Sequence, residues 1–111
     1  MKRYGLFIGR WRIFHDGHIW LVEQKLNEGI PALIAIRPTD EQPPLDVRHQ
    51  QIVEALEPRG WVDGDDYAVM ILPVDIESVN YGRGVGYDVN YHEPPDEIAA
   101  VSATKLLADP A

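Results

Sequence analysis

A strand, a turn with two histidines and a helix are predicted by residues 4–28, whose sequence is YGLFIGRWRIFHDGHIWLVEQKLNE. The apolar run at residues 6–8 is typical of a buried parallel strand. Apolar side chains recur at helical spacing from residue 19, so we expect a helix that begins at or just after His18. His15 and His18 are therefore predicted in a strand-to-helix turn.

A second strand is expected at residues 31–37, because this run is apolar without alternation and Gly29 is suited to end the preceding helix. Strand, helix and strand in this order form a βαβ unit, which gives a parallel sheet through a right-handed crossover. Arg37 ends the second strand. Its guanidinium is therefore predicted at the same edge of the sheet as the histidine turn, where its planar fork suits phosphate or sulfate.

The two histidines of the turn can be metal ligands, acid or base groups, phosphate ligands or packed structural side chains. Zinc requires three or four ligands, and the remaining histidines, His49 and His92, lie in unrelated contexts. In open α/β sheets, ligands bind at the carboxyl ends of the strands, and the free N–H groups of a helix N-terminus attract anions. Phosphate binding is favoured because Arg10 and Arg37 are predicted at that edge too.

The middle of the chain is predicted to add a loop, a helix and a third strand. Residues 38–45 contain three prolines and cannot continue either neighbouring element. Asp46 is suited to cap a helix that ends at Pro58. Arg48 is expected in the first turn of that helix, where a cation opposes the helix dipole and hints at an anionic partner, although surface arginines are as common. The third strand is predicted at residues 67–72.

The last part of the chain contains a glycine-rich segment and a second possible anion site. Three glycines alternate within residues 81–88 and predict either a flexible loop that approaches a ligand or a set of tight turns. Residues 98–101 are expected to form a short strand or extended segment. A terminal helix begins at Ser102, which is either a plain cap or, with Thr104 and Lys105, a second cradle for oxyanions.

Composition is typical of one soluble domain that spans residues 1–111. The absence of cysteine excludes disulfides and cysteine-ligated zinc, and the absence of a long apolar run or signal pattern makes the cytoplasm the expected compartment. The net charge is −8, with +3 in residues 1–37 and −11 in residues 38–111, which disfavours nucleic-acid and membrane binding. The acidic turn at residues 63–66 is interpreted as solvated, because no glutamate follows at the spacing of a calcium loop.

Residues 9–18, GRWRIFHDGH, resemble the first signature of the nucleotidyltransferase superfamily that includes archaeal-type nicotinamide-mononucleotide adenylyltransferases, cytidylyltransferases and ATP sulfurylases. Residues 101–105, VSATK, look like its second signature. Residues 35–39 and 75–87 resemble a bacterial and phage branch described as adenylyltransferase- or adenylylsulfate-kinase-associated. We therefore expect a small doubly wound, Rossmann-like α/β domain, with about four or five mainly parallel strands and helices on both faces.

By this resemblance, the chain transfers a nucleoside monophosphate from a nucleoside triphosphate to a small acceptor that carries phosphate or sulfate, and it releases pyrophosphate. ATP is the expected nucleotide, and CTP is the alternative. Mg²⁺ is expected to accompany the triphosphate, largely without a protein cage. The resemblance assigns catalysis to His15, His18 and Lys105. It assigns nucleotide and phosphate binding to Gly9, Arg10, Trp11, Gly17, Ser102 and Thr104. Candidate contacts for the acceptor or polyphosphate are Arg37, Arg48 and Arg83.

The sequence departs from both signatures. Residues 12–13 are Arg-Ile where the superfamily usually has Gln-Pro, and residues 106–107 are Leu-Leu where it usually has isoleucine or valine and then an arginine. A non-catalytic nucleotide-binding or regulatory module is therefore the alternative to an enzyme. Self-association into a homo-oligomer is also possible if Trp20 and Trp61 are exposed.

Overall fold

The computed structural model describes residues 2–100. Within these residues, no helix is long and apolar enough to cross a membrane. A single turn of 3₁₀ helix (Glu57–Arg59) follows the second helix. The helices and strands are, in chain order, β1 (Gly5–Gly9), α1 (Asp16–Leu26), β2 (Ala32–Ile36), α2 (Leu45–Leu56), β3 (Tyr67–Ile71) and α3 (Asp96–Ala99).

The three strands form one parallel sheet in the order β1, β2, β3. Gly9 pairs with Ile36, and Ile36 pairs with Ile71, so the carboxyl ends of all three strands meet at one edge. The predicted α/β class, with a parallel sheet built from βαβ units, is confirmed. The described residues contain three strands, and the doubly wound arrangement with four or five strands is not reached within them.

The helices α1 and α2 pack on one face of the sheet. Phe7 of β1 forms a single apolar core with Val22 of α1 and Ile52 of α2. Successive side chains of a strand point to opposite faces. On the other face Leu6 is 56% exposed and Met70 is 37% exposed. Within residues 2–100 the second face is therefore partly open, whereas continuous apolar strands had predicted that both faces are covered.

The start of α2 differs from the prediction. The helix begins at Leu45, with Pro44 at the N-cap position and no side-chain cap. The Pro44 carbonyl accepts a hydrogen bond from the backbone N–H of Arg48 (3.0 Å). Asp46 therefore does not cap the helix but lies in its first turn, where its negative charge is stabilised by the helix dipole.

The extended segment predicted at residues 98–101 is wrong over the part that the structure describes, since α3 extends through Ala99. Pro95 precedes the helix with an extended backbone, and two acids, Asp96 and Glu97, lie in its first turn. These are favourable residues for a helix N-terminus. They outweigh the short apolar run that follows, which by itself does not distinguish a strand from a helix.

A half-buried carboxylate joins α1 to the segment that follows α2. Glu23 accepts hydrogen bonds from Arg59 (2.8 and 2.7 Å) and from the indole of Trp61 (2.9 Å). The hydrogen bond from Arg59 is the main reason that the pKa of Glu23 is lowered. Trp61 packs against the core, and Trp20 is half-buried, so neither tryptophan offers the exposed surface on which self-association was predicted.

Candidate functional site

His15 is the N-cap of α1, which begins at Asp16 rather than at His18 or just after it. Its Nδ1 accepts a hydrogen bond from the backbone N–H of Gly17 (3.0 Å). Its carbonyl accepts from the N–H groups of His18 (2.9 Å) and Ile19 (3.0 Å). Because Nδ1 is an acceptor, the proton of the neutral ring is on Nε2. The Nε2–H group is then the donor that the ring can offer to a ligand.

The two histidine rings form a stacked pair. The ring centroids of His15 and His18 are 3.7 Å apart, with an interplanar angle of 18°. The edge of Trp11 meets His18 at a centroid distance of 4.8 Å, and Phe14 lies at 5.6 Å. Nδ1 of His18 is buried and has no hydrogen-bond partner among residues 2–100. A ligand that contacts one ring is therefore close to the other.

Both imidazoles are neutral at pH 7. Burial lowers the pKa of His18 to about 4; the neighbouring His15 lowers it further, and the Ile13 backbone acts in the opposite direction. Burial also lowers the pKa of His15, against the effect of the Asp16 carboxylate. The pair is thus able to donate hydrogen bonds to an anion without carrying charge in the free protein. A bound anion would raise both pKa values, because a nearby negative charge favours the protonated ring.

The N-terminus of α1 is less open to an anion than the sequence predicted. The N–H group of Gly17 is used by the His15 side chain, and the N–H group of His18 by the His15 carbonyl. Asp16 also places a carboxylate in the first turn. The expectation of free N–H groups is wrong at these two positions. Side chains must therefore supply most of the donors for an anion here.

Trp11 packs against His18 and is anchored to β2. It is 6% exposed, and its indole N–H donates to the Ala35 carbonyl (2.9 Å) in β2. Its backbone φ of 49° lies in the left-handed region, which costs a non-glycine residue on the order of 1–3 kcal/mol and persists only where the surroundings fix it. Its buried ring packs against His18, and the nucleotide-binding role of Trp11 stays a prediction.

Two glycines of the first signature make room for these rings. A Cβ atom on Gly9 would lie 2.8 Å from the ring of Trp11. A Cβ atom on Gly17 would lie 2.9 Å from Cε1 of His15. The resemblance assigns nucleotide binding to Gly17. In the structure, its missing side chain leaves space for the imidazole that caps α1.

Arg48 is completely buried, and oxygen atoms of two loops surround its guanidinium. An arginine offers five N–H donors, and here all three nitrogens face oxygen atoms, so no donor remains for a ligand. The predicted contact with an acceptor or polyphosphate is therefore replaced by a structural role. The acceptors are the carbonyls of Pro43 (2.7 Å), Arg10 (3.3 Å), Arg37 (3.3 Å), Thr39 (3.0 Å) and Glu41, and the Thr39 hydroxyl (2.9 Å).

Arg10 and Arg37 follow adjacent strands at the carboxyl edge, as predicted, and each pairs with a carboxylate from a loop. Nη1 of Arg10 contacts both carboxylate oxygens of Glu41 (3.0 and 2.8 Å). Arg37 forms a two-pronged pair with Asp75 (2.8 and 3.1 Å). These hydrogen bonds lower the pKa of Glu41 and of Asp75. Sequence reasoning missed both partners, since it treated residues 38–45 only as a loop and residues 75–87 only as part of a family resemblance.

Arg83 lies in the long loop of residues 72–95, which contains no helix or strand. Nearby in this loop, the Gly86 carbonyl accepts a hydrogen bond from Arg3, which precedes β1. This contact places the glycine segment beside the amino end of β1, at the opposite end of the strand from the histidine turn. The role of Arg83 toward an acceptor or polyphosphate therefore stays a prediction.

The described chain returns to the histidine turn before it reaches the second signature. The helix α3 packs against α1. The Ile98 carbonyl lies 3.8 Å from the position that a Cβ atom on Gly17 would occupy. The second signature, residues 101–105, lies outside the described residues, and with it the predicted site residues Ser102, Thr104 and Lys105.

A cavity of about 120 Å³ lies at the opposite end of the sheet, lined by residues that include Lys2, Leu26 and Asp66. It contains no histidine, and it is distant from the strand ends that hold the paired arginines. Within residues 2–100, no group of three or more His, Cys, Asp or Glu side chains is placed to hold a metal ion. The carboxyl edge with its histidine pair is therefore the best candidate site.

Comparisons with protein-family models, with curated proteins and with solved structures found no match. The resemblance of residues 9–18 and 101–105 thus remains a resemblance of motifs. A function must be inferred from these motifs and from the geometry of the carboxyl edge.

Proposed function

We propose that this chain is a nucleotidyltransferase that transfers AMP from ATP to a small acceptor carrying phosphate or sulfate and releases pyrophosphate. The observation that carries the proposal is the stacked pair of His15 and His18 at the start of α1, on the carboxyl edge of a parallel sheet. Ligands of open α/β sheets bind at this edge. Two neutral imidazoles stacked on each other can donate hydrogen bonds to the oxygens of a single phosphate group.

The reaction requires little covalent chemistry from the protein. An acceptor oxygen attacks the α-phosphorus of ATP, and the bond from that phosphorus to the leaving pyrophosphate breaks. Catalysis then consists of in-line positioning and stabilisation of the charge on the transferring group. His15 donates from Nε2–H to an α-phosphate oxygen, and His18 stabilises the same group from one helical turn further along α1.

Charge on the triphosphate must also be neutralised. We expect Mg²⁺ to accompany the triphosphate, bound largely by its phosphate oxygens and water. When bound, this ion supplies positive charge to the leaving pyrophosphate. We assign the grip on the β- and γ-phosphates to Ser102, Thr104 and Lys105. The approach of the Ile98 carbonyl to Gly17 supports this assignment, because Ile98 precedes the second signature by three residues in the sequence.

The proposal includes the doubly wound, Rossmann-like form for the domain of residues 1–111. The parallel order of β1, β2 and β3 supports it, because such sheets grow by repeated βαβ units.

A second candidate function is a nucleotide-binding module without turnover. Three observations favour it. The arginines at the edge are paired with carboxylates, and the first N–H groups of α1 are used internally. Residues 106–107 also lack the arginine that the second signature usually provides.

The two functions are separated by measuring pyrophosphate release from ATP, and from CTP, over a panel of acceptors: sulfate, nicotinamide mononucleotide, phosphopantetheine, and sugar or polyol phosphates. We expect release with ATP and one class of acceptor. Binding of ATP without release with any acceptor would instead support the module. Binding of neither nucleotide would contradict both functions.

A further inference from the structure

Glu41 places its carboxylate on two arginines of the segment between β1 and α1. Nη1 of Arg10 lies 3.0 and 2.8 Å from the two carboxylate oxygens, and Nη1 of Arg12 lies 3.7 Å from one of them. Nε of Arg12 also donates to the carbonyl of Gln42 (2.6 Å), which keeps this side chain beside the loop. Two guanidinium groups therefore converge on one carboxylate at the carboxyl edge of the sheet.

The main chain of this loop is held by a buried side chain, whereas the Glu41 side chain is exposed. The buried Arg48 donates to the carbonyls of Thr39 (3.0 Å), Glu41 and Pro43 (2.7 Å). In contrast, the side chains of Glu41 and Arg10 are 41% and 45% exposed. The carboxylate can therefore leave the arginines by a change of rotamer alone, with no movement of the loop backbone.

We propose that Arg10 and Arg12 form an anion subsite that Glu41 fills in the ligand-free protein, and that a phosphate group displaces the Glu41 carboxylate on binding. The identity of the anion rests on the proposed function, in which it is a phosphate of the nucleotide or of the acceptor. A phosphate carries more charge and more acceptor oxygens than a carboxylate, so it competes well for two guanidinium groups.

The neighbouring pair, Arg37 with Asp75, shows why Glu41 is the displaceable partner. Asp75 contacts Arg37 through both oxygens and also accepts a hydrogen bond from the backbone N–H of Ile76 (2.8 Å). Its carboxylate is thus held from two sides. Glu41 is exposed to a similar extent as Asp75 but is held only by side chains, those of Arg10, Arg12 and Thr39, and exposed ion pairs are weak.

The test is calorimetric binding of inorganic pyrophosphate to the wild-type protein and to Glu41→Gln. The matched control is Glu28→Gln. Glu28 is also exposed and paired, with Lys25 at 3.3 Å, but it follows α1 at the far end of the sheet. The control removes the same charge from a protein of net charge −8 without freeing Arg10 or Arg12.

We expect Glu41→Gln to bind pyrophosphate about two- to fivefold more tightly than the wild type and Glu28→Gln, because the competition of one exposed ion pair is removed. Adding Arg12→Gln to Glu41→Gln should reverse the gain. Equal affinities of Glu41→Gln and Glu28→Gln for pyrophosphate would overturn the displacement of Glu41 but would not contradict an anion site at this edge. The expected gain without ATP turnover would support displacement and contradict the proposed reaction. No pyrophosphate binding by any variant would overturn both.

Discussion

Two clusters of a carboxylate with an arginine, Glu23 with Arg59 and Glu41 with Arg10, use the same chemistry at different depths. The Glu23 side chain is 13% exposed and accepts a third hydrogen bond, from the indole of Trp61. The Glu41 side chain is 41% exposed and lies at the carboxyl edge of the sheet. Because Glu23 is more buried and has an additional donor, the first cluster stabilises the packing of α1 against the segment that follows α2. Exposure makes the second one open to competition by a ligand.

The largest effect is expected for Arg48→Met. This variant tests whether the buried Arg48 stabilises the loops at the carboxyl edge of the sheet. Removing a buried guanidinium leaves several loop carbonyls without donors, so the free energy of unfolding should fall by about 3–5 kcal/mol. Denaturant unfolding measures this change. Arg48→Lys, which offers three donors in place of five, should recover only part of the loss. Unchanged stability in Arg48→Met would instead leave Arg48 available to a ligand, as the sequence had suggested.

The next effect concerns the reaction. His18→Ala should reduce pyrophosphate release by two to three orders of magnitude, since one stabilising group at a transferring phosphate is worth about 3 kcal/mol. The far-UV circular dichroism spectrum should match that of the wild type. His49→Ala, which removes a histidine of α2 outside the turn, is the control and should retain turnover. An unaltered rate in His18→Ala would remove His18 from the catalytic role.

A smaller effect, on stability alone, is expected for Glu23→Gln. The variant should lose about 1–2 kcal/mol of unfolding free energy at pH 7, because a charged hydrogen-bond partner of Arg59 becomes neutral. The pKa of Glu23 is lowered in the folded state, so its contribution is present above the ordinary value of 4.5 and disappears as the pH falls through the folded value. The stability difference from wild type should therefore shrink in acid.

Glu41→Gln is the matched variant that completes this comparison, and we expect no measurable change in its unfolding midpoint. Equal losses of stability in Glu23→Gln and Glu41→Gln would show that depth does not separate the two clusters. This result would also contradict the proposal that a ligand displaces the Glu41 carboxylate.

Much of the fold follows from local sequence. Residues 6–8 lie within β1, and the apolar spacing from residue 19 lies within α1, because each signal depends on neighbours a few positions apart. The extension of α1 to Asp16 was missed, since capping by a histidine side chain is outside the usual preferences. The helix at Asp96–Ala99 was missed because four residues are too few for a periodic pattern.

The candidate site was only partly predictable. The motif placed His15 and His18 in one turn, and the parallel sheet placed Arg10 and Arg37 at one edge. Their partners could not be read from the sequence, because Arg10 and Glu41 are separated by 31 residues and Arg37 and Asp75 by 38. Such pairing depends on how loops fold over the edge. The same holds for Arg48, whose acceptors come from two loops.

The most direct measurement is an NMR titration of the histidine rings with and without saturating inorganic pyrophosphate. In the free protein the pKa of His18 is about 4. A phosphate bound at the stacked pair should raise this pKa and shift the ring resonances of His15 and His18. The ring resonances of His49 and His92 should not shift on addition of pyrophosphate. If pyrophosphate binds by calorimetry but leaves the resonances and the pKa of His18 unaltered, the histidine turn is not the phosphate site.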